Sequence, residues 1–518
     1  MPPPARLPLV VSLPVAVAAG GVHVAVFPPW GAPALAFIAL VPILAVLRLE
    51  DRTWSGALLG WVFGFASGVA AAYWVYDVLI SGYGIGPRSA FAFTVGTIGF
   101  QTSSFAFFGA LAVRLRRGWL PPILAAPLGW CVAELLRTQA LQGIPWLLYG
   151  HSLYASPVLI QAAEIGGVAG LSFALVLVNA LLAEAALARR VRHRALRRVA
   201  AAIALVAALA GFGAARMAAL DTEGVGARSV AVGLVQTATT QAERWESDFR
   251  ERNLERHLAL TREAVAAGAT VVVWSETAID FLPSEEPDLP VRIAAALGHD
   301  PQRRLLTGAP FEDAEEVYTN SALVYDGAGR LLGRYDKIHL VPFSEREPEW
   351  IDAVPGMRLR LRRMVLGTPY TAGDDPRPLA LDGLRAGVLV CFEAIYPDLA
   401  RASVAAGADV LVNISNDGFF QVGGAEEQHF AGTVFRAVET RRPLVRVANL
   451  GIGALVDATG RVLRRTEPGQ RTATLVEVTP RSGTTVFCAG GWILPWALGA
   501  LGLLGLISRR AGSGESGS

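Results

Sequence analysis

Three residues of different chemistry, Glu276, Lys337 and Cys391, each follow a short apolar stretch in the second half of the chain. Cysteine supplies a nucleophilic sulfur, although a free thiol is mostly protonated at neutral pH. A carboxylate can take the thiol proton as a general base and return it to a leaving group. An ammonium can favour the thiolate and stabilise the oxyanion of a tetrahedral intermediate. Together these groups predict acyl transfer through a thioester, without histidine.

Lys337 is the only lysine in 518 residues, and arginine supplies the remaining basic side chains. A position that needs only positive charge tolerates arginine, so Lys337 indicates a site that requires a compact ammonium. Taken singly, each residue has an ordinary alternative: a helix cap for Glu276, a surface lysine for Lys337 and a small buried thiol for Cys391. Their shared position after strands favours a joint chemical role.

The elements that must position these residues lie between residues 228 and 480, where short apolar runs alternate with helical patterns. The runs predict strands at 229–236, 270–274, 304–308, 321–325, 331–335, 385–390, 409–414, 444–448 and 472–478. The helical patterns predict helices at 254–267, 291–297, 397–406 and 425–439. This interleaving predicts an α/β domain in which helices cover a central β-core.

The rest of the chain is too apolar for an ordinary soluble enzyme, and it raises the mean hydropathy to +0.41. Its apolar residues form eight stretches: 8–27, 31–48, 55–79, 88–113, 119–136, 157–188, 198–219 and 487–508. Most approach or exceed the ~20 residues that cross a bilayer core. We therefore expect a membrane α-helical domain over 1–220 that begins with an uncleaved helix, the α/β domain over 228–480, an eighth transmembrane helix at 487–508 and a disordered cytoplasmic tail at 509–518.

The arginines that flank these stretches predict their orientation. Fourteen lie at one set of alternate ends, whereas only Arg88, Arg137 and Arg216 lie near the other ends. This bias places both termini in the cytoplasm and the α/β domain outside. Because topology accounts for these arginines, the net charge of +2 gives no indication of nucleic-acid binding.

The three cysteines are far apart, which argues against a disulfide framework or a zinc site. Cys131 lies within the fifth apolar stretch and Cys488 at the start of the eighth, so Cys391 is the only cysteine inside the α/β domain. The chain also has no Walker loop or Cys-x-x-Cys pair. We therefore expect neither a metal nor a soluble cofactor.

With their flanking residues, Glu276, Lys337 and Cys391 resemble the Glu-Lys-Cys triad of the nitrilase superfamily. Further matches are Asn-Ile-Ser-Asn-Asp at 413–417 and the arginine-containing run 436–451. This resemblance implies an α-β-β-α sandwich. The order of segments then inserts the sandwich between transmembrane helices seven and eight of an eight-helix membrane domain.

The membrane part resembles a narrower family, the apolipoprotein N-acyltransferases, through the runs 144–152, 170–173 and 178–182 and through the order of its segments. This resemblance implies supporting catalytic roles for Glu345 and Glu393. It also implies a set of substrate-binding candidates: Trp245, Phe343, Asn416, Phe419, Phe420 and Trp146. The chain departs from the family pattern twice, with Ser344 in place of a glycine and Phe419 in place of a tryptophan.

The resemblance implies that Cys391 takes an acyl chain from a phospholipid and passes it to the N-terminal amine of a diacylglyceryl apolipoprotein. It implies a monomer in the bacterial inner membrane, with its catalytic domain in the periplasm. One alternative is a membrane-tethered amidase or nitrilase, in which water resolves the thioester. Another is a non-enzymatic lipid- or lipoprotein-binding module. The run 144–152, which a tethered hydrolase does not need, and the intact triad favour the transferase.

A long segment at 343–373 carries apolar side chains, among them Phe343, Trp350 and Met364, interspersed with arginines. Long loops in compact domains are often active-site lids, and amphipathic segments bind lipid surfaces. The segment therefore predicts a mobile lid at the bilayer surface, with an ordinary packed loop as the alternative.

Overall fold

The computed structural model describes residues 7–140, 143–188, 191–223, 228–240, 243, 248–313, 317–346, 370–420 and 424–507. The part before residue 224 is helical. Its helices are α1 (Leu9–Val24), α2 (Val41–Leu49), α3 (Thr53–Ala72), α4 (Trp74–Asp77), α5 (Pro87–Thr102), α6 (Ser104–Arg114), α7 (Ala125–Leu135), α8 (Pro157–Ile160), α9 (Ala163–Leu187) and α10 (Arg192–Glu223).

Each predicted apolar stretch contains helix in the structure, although several are interrupted. Four described helical segments are long and apolar enough to cross a bilayer, namely 53–72, 87–117, 163–187 and 192–223. Shorter apolar helices occupy 9–24, 33–49 and 491–504. The stretch at 119–136 contains α7, which has 11 residues. A membrane region of apolar helices is therefore confirmed, whereas the number of eight spans stays a prediction.

The region after residue 228 contains twelve described strands in two sheets. They are β1 (Val230–Gln236), β2 (Val271–Val273), β3 (Arg304–Glu312), β4 (Tyr318–Asp326), β5 (Leu331–Asp336), β6 (Leu379–Leu381), β7 (Leu384–Val390), β8 (Val410–Asn416), β9 (Leu444–Asn449), β10 (Ala454–Val456), β11 (Val462–Arg465) and β12 (Thr472–Val478). The first sheet has the order β12-β1-β2-β3-β4-β5, and the second has the order β11-β10-β9-β8-β7-β6.

The central strands of each sheet are parallel: β1, β2 and β3 in the first, and β7, β8 and β9 in the second. Such strands are covered on both faces and read as continuous apolar runs, as in Val271–Val273. Valines of the two inner faces, including Val273 and Val390, form one buried cluster between the sheets.

Helices cover the outer faces of both sheets. On the first sheet, α11 (Phe249–Ala266) and α12 (Leu289–Ala296) form a separate buried cluster with β1, β2 and β3. On the second sheet lie α13 (Pro397–Ala405) and α14 (Ala425–Thr440). The predicted α-β-β-α sandwich is confirmed. Strands β6, β10 and β11, of three or four residues each, were not predicted.

The sandwich and the membrane helices share one hydrophobic core, because α14 lies between the second sheet and α9. Short helices α15 (Val486–Ala489) and α16 (Leu494–Leu504) then return the chain to α9 and α7. An ion pair reinforces the contact, because Arg441 Nε donates to Glu164 Oε2 of α9 at 2.8 Å. Arg216 Nε of α10 donates to the other oxygen of Glu164 at 2.9 Å and holds the carboxylate in place. The sandwich is therefore held directly against the apolar helices.

Candidate active site

Glu276, Lys337 and Cys391 all lie just beyond the carboxyl ends of strands, as predicted. Glu276 follows β2 by three residues, Lys337 follows β5 directly, and Cys391 follows β7 directly. The backbone at Glu276 packs closely against β3, where a Cβ on Gly308 would lie 2.7 Å from the Glu276 Cα. This contact brings the carboxylate down between the two sheets, where the other two residues face it.

The lone lysine joins two buried carboxylates. Lys337 Nζ donates to Glu276 Oε1 at 3.1 Å and to Glu345 Oε1 at 2.9 Å, and its side chain is 1% exposed. Asn320 Nδ2 donates to the same two oxygens, at 2.9 and 2.8 Å. The remaining oxygens accept backbone N–H groups, Glu276 Oε2 from Asn416 and Glu345 Oε2 from Val341. The compact ammonium therefore occupies a point between two acceptors that are already fixed by other donors.

Cys391 begins a 3₁₀ turn, Cys391–Ile395, and has a left-handed backbone with φ of 53°. Non-glycine residues adopt this conformation at a cost, and it recurs where a tight turn presents a nucleophile. The Cys391 carbonyl accepts hydrogen bonds from Asn413 Nδ2 at 3.3 Å and from His429 Nε2 at 3.1 Å. These two donors hold the strained turn in place.

The electrostatics of the triad favour a neutral thiol and a charged lysine. Burial raises the pKa of the Cys391 thiol, and the Glu276 carboxylate raises it further, whereas Lys337 and Ser415 act in the opposite direction. Burial alone would lower the pKa of Lys337, but Glu276 and Glu345 outweigh it and raise that pKa well above its ordinary value. Lys337 thus lowers the pKa of the thiol without outweighing burial. Ionisation of Cys391 requires a base that takes its proton.

Glu393 lies two residues after Cys391 and is completely buried. Its Oε1 accepts the backbone N–H groups of Ile338 at 2.6 Å and His339 at 3.0 Å, and its Oε2 accepts that of Val390 at 2.7 Å. The Tyr335 hydroxyl donates to both oxygens. Glu393 therefore ties the segment that carries Lys337 to the turn that carries Cys391.

The triad opens into a cavity of about 660 Å³ that extends between the membrane helices. Its wall is mostly apolar and includes Gly64 of α3, Ile98 of α5 and Phe105 of α6. At its other end it is lined by Glu276, Lys337 and Cys391. One continuous space thus joins the thiol to the membrane region.

Five of the six predicted binding residues line this cavity: Phe343, Asn416, Phe419, Phe420 and Trp146. Trp245 and residues 347–369 of the predicted lid lie outside the described residues.

Phe419 and Tyr83 both line the cavity, and their rings stack with centroids 5.4 Å apart. The Tyr83 hydroxyl also forms a hydrogen bond with the Ser344 hydroxyl, and the two oxygens are 2.8 Å apart. Both departures from the family pattern therefore contact the same tyrosine of the membrane region.

Both halves of the chain match known protein families. The family described as apolipoprotein N-acyltransferase N-terminal domain matches residues 19–181, and the carbon-nitrogen hydrolase family matches residues 232–485. The apolipoprotein N-acyltransferase of Geobacter metallireducens is 33% identical over 498 residues, which cover 93% of each chain. The chain belongs to the apolipoprotein N-acyltransferase family. The predicted resemblance is thereby confirmed.

Other relatives match this chain over a similar share of its length. The apolipoprotein N-acyltransferase of Allorhizobium ampelinum is 32% identical over 523 residues, covering 95% of this chain and 96% of its own. Among solved structures, a carbon-nitrogen hydrolase from Helicobacter pylori G27 aligns with 48% of this chain and 89% of its own, at 18% identity and a TM-score of 0.36.

Two polar residues of the site were not predicted from the sequence. Asn320, in β4, supplies the amide that joins Glu276 to Glu345. His429, in α14, donates to the carbonyl of Cys391. For Asn320 the available signal was an amide in the short polar run Thr319–Ser321, directly before the apolar part of β4. The sequence around His429 offers no comparable signal, because its partner lies 38 residues earlier in the chain.

Proposed function

We propose that this protein is an enzyme that transfers an acyl chain from a phospholipid, through a thioester on Cys391, to the N-terminal α-amine of a diacylglyceryl-cysteine on an apolipoprotein. The observation that carries the proposal is the cavity of about 660 Å³ that joins Cys391 to the membrane helices. A saturated chain costs ~0.8 kcal/mol per CH₂ to move into water. An enzyme that forms a thioester with a lipid chain needs such a continuous apolar space.

In the first step, Glu276 takes the proton of the Cys391 thiol as the sulfur attacks the ester carbonyl of the phospholipid. The C–S bond forms, and the ester C–O bond breaks when the tetrahedral intermediate collapses. Glu276 returns the proton to the departing oxygen, and lysophospholipid leaves. Lys337 remains charged throughout, because two carboxylates raise its pKa, and it stabilises the developing negative charge.

In the second step, the neutral α-amine of the apolipoprotein attacks the thioester carbonyl. Glu276 accepts a proton from the attacking nitrogen, the C–N bond forms, and the C–S bond breaks. The proton then passes to the sulfur, which restores the Cys391 thiol. The pKa of this thiol is raised by burial and by Glu276, so the resting enzyme regains the protonated form. The product is a triacylated lipoprotein, and the two steps need no cofactor.

Glu345 and Glu393 support this chemistry in different ways. Glu345 shares the Lys337 ammonium with Glu276 and thereby fixes its position. Glu393 holds backbone N–H groups on both sides of the site and acts on the geometry of the turn. Phe343, Asn416, Phe419, Phe420 and Trp146 line the space for the acyl chain and, together with Trp245, remain our candidates for substrate contacts.

The same proposal includes a topology. Eight helices cross the bacterial inner membrane, the termini are cytoplasmic, and residues 228–480 face the periplasm in a monomer. The arginine bias supports this orientation. A phosphatase fused near residue 300 is expected to be active, and one fused near residue 193 is expected to be silent. The reverse pattern would contradict the orientation.

The reaction is tested with purified protein, a phospholipid carrying a labelled acyl chain and a synthetic peptide that begins with diacylglyceryl-cysteine. We expect labelled triacylated peptide together with lysophospholipid, and neither product from Cys391→Ser. Labelled free fatty acid without triacylated peptide would instead support the tethered hydrolase, because water would then resolve the thioester.

A further inference from the structure

Gln428, in the first turn of α14, connects the catalytic domain to three segments of the membrane region. Its Oε1 accepts the indole N–H of Trp146 at 2.9 Å and that of Trp74 at 3.3 Å. Its Nε2 donates to the carbonyls of Pro28 and Ala71, each at 3.1 Å. A glutamine amide has two donors and can accept two hydrogen bonds, so all four are used here.

The tryptophans that Gln428 holds form one wall of the cavity. Trp74 and Trp146 pack with ring centroids 5.6 Å apart, and Phe420 packs against both, at 5.1 and 6.0 Å. All three side chains line the space that leads to Cys391. We call Trp74, Trp146 and Phe420 the aromatic wall.

The next residue, His429, contacts the 3₁₀ turn that carries Cys391. Its Nε2 donates to the Cys391 carbonyl at 3.1 Å, since a carbonyl can only accept. Its Nδ1 lies 3.2 Å from Arg446 Nη2 and 3.2 Å from Asp417 Oδ1. The His429 ring also packs against Trp146, with centroids 5.7 Å apart.

Two consecutive residues thus fix two different parts of the site. Gln428 fixes the aromatic wall, and His429 fixes the turn of Cys391. Both are buried, and they share a rigid helical turn. The distance between the wall and the sulfur is therefore set by Gln428 and His429 rather than by the membrane helices alone.

We propose that Gln428 is a positioning residue that aligns the aromatic wall with Cys391, so that long acyl chains, but not short ones, depend on it for productive binding. This inference rests on the proposed acyl transfer from phospholipid. A long chain must run along the wall while its carbonyl lies at the sulfur. An acetyl group occupies only the space beside Cys391 and does not reach the wall.

The side-chain chemistry makes the position specific for glutamine. Methionine has a similar length but leaves two indole N–H groups and two carbonyls in the buried contact without their partner. Glutamate keeps the acceptor atoms, but it cannot donate to Pro28 and Ala71. Methionine therefore releases the tryptophans of the wall, whereas glutamate breaks only the link to Pro28 and Ala71. In both variants the contact of His429 with Cys391 remains.

The test compares Gln428→Met with the wild-type protein and with Gln302→Met, a matched change at an exposed glutamine remote from the cavity. Acylation of Cys391 is followed by mass spectrometry, with a long-chain phospholipid in detergent and with p-nitrophenyl acetate. We expect Gln428→Met to lower kcat/KM for the phospholipid ~10-fold or more, mainly through KM, and to change the acetate reaction less than about 3-fold. Gln302→Met is expected to match wild type with both donors.

Equal loss with both donors would overturn the proposal, because Gln428 would then support the fold or the nucleophile in general. Unchanged use of phospholipid would overturn it as well. If Gln428→Met does not accumulate in membranes, Trp146→Phe decides, since it keeps an aromatic side chain and removes the 2.9 Å donor. A selective loss with phospholipid supports the proposal, and unchanged use contradicts it. Failure of wild-type protein to react with phospholipid, while it reacts with the acetate, would instead refute the proposed function.

Discussion

Replacing Glu276 with glutamine is expected to have opposite effects on two reactions of Cys391. The Glu276 carboxylate raises the pKa of the thiol, in addition to burial, whereas Lys337 lowers it. Glutamine keeps the shape and can still accept from Lys337 and Asn320. It removes the negative charge, so the pKa of Cys391 should fall. The thiol should therefore react faster with a simple alkylating agent, although it loses the base needed for acyl transfer.

The size of the gain follows from the charge that is removed. A charge in contact with a titratable group typically moves its pKa by ~1–3, and each whole pKa number changes the thiolate fraction about tenfold. Thiolates of lower pKa are weaker nucleophiles, with a Brønsted coefficient of ~0.4–0.5. The net increase in alkylation rate is therefore about 3-fold to about 60-fold at neutral pH. Loss of a general base should lower acylation by phospholipid by ~10²–10⁴.

The assay measures iodoacetamide alkylation of each cysteine by mass spectrometry, alongside acylation by phospholipid. Cys488 serves as an internal reference, because it does not line the cavity that Glu276 and Cys391 share. In wild-type protein, alkylation of Cys391 should increase steadily through the alkaline range, since burial disfavours the thiolate. If Glu276→Gln slows alkylation of Cys391, or leaves it unchanged, the carboxylate does not act on the thiol as we infer.

Three further substitutions test neighbouring contacts. Lys337→Arg is expected to lower acylation ~10²–10³-fold, close to Lys337→Ala at equal membrane abundance, because the wider guanidinium cannot occupy the point between the carboxylates; near-normal acylation would show that charge alone suffices. Glu393→Gln should lower the melting temperature and slow acylation, since each orphaned backbone N–H costs about 1–3 kcal/mol; an unchanged melting temperature would contradict the role of Glu393. Ser344→Gly removes the 2.8 Å hydrogen bond with Tyr83. It should raise KM for phospholipid about 2- to 10-fold without slowing alkylation of Cys391. An unchanged KM would show that this hydrogen bond does not contribute to phospholipid binding.

The positions of the candidate catalytic residues could be predicted because each lies one to three residues after the end of a strand. Strand runs such as Val271–Val273 carry an unambiguous pattern, and the carboxyl ends of strands are where chemistry is placed in α/β domains. The role of Asn320 could not be predicted in this way, since an amide within a strand can equally face solvent. Its role became clear only when β4 placed it between two carboxylates.

Contacts between the two halves of the chain could not be predicted. Gln428 and Trp146 are 282 residues apart, and nothing local to either position specifies the other. Apolar composition predicted where helices lie but not where they break, as at Ser103 between α5 and α6. The short strands β6, β10 and β11 have too few residues for a two-residue periodicity to stand out.

The central claim is that Cys391 carries the acyl chain. Intact-mass and peptide analysis of protein purified from membranes tests it most directly. We predict a long-chain acyl adduct on Cys391 that neutral hydroxylamine releases and that is absent from Cys391→Ser. An adduct on Cys131 or Cys488, or phospholipid-dependent transfer that persists in Cys391→Ser, would contradict the thioester mechanism.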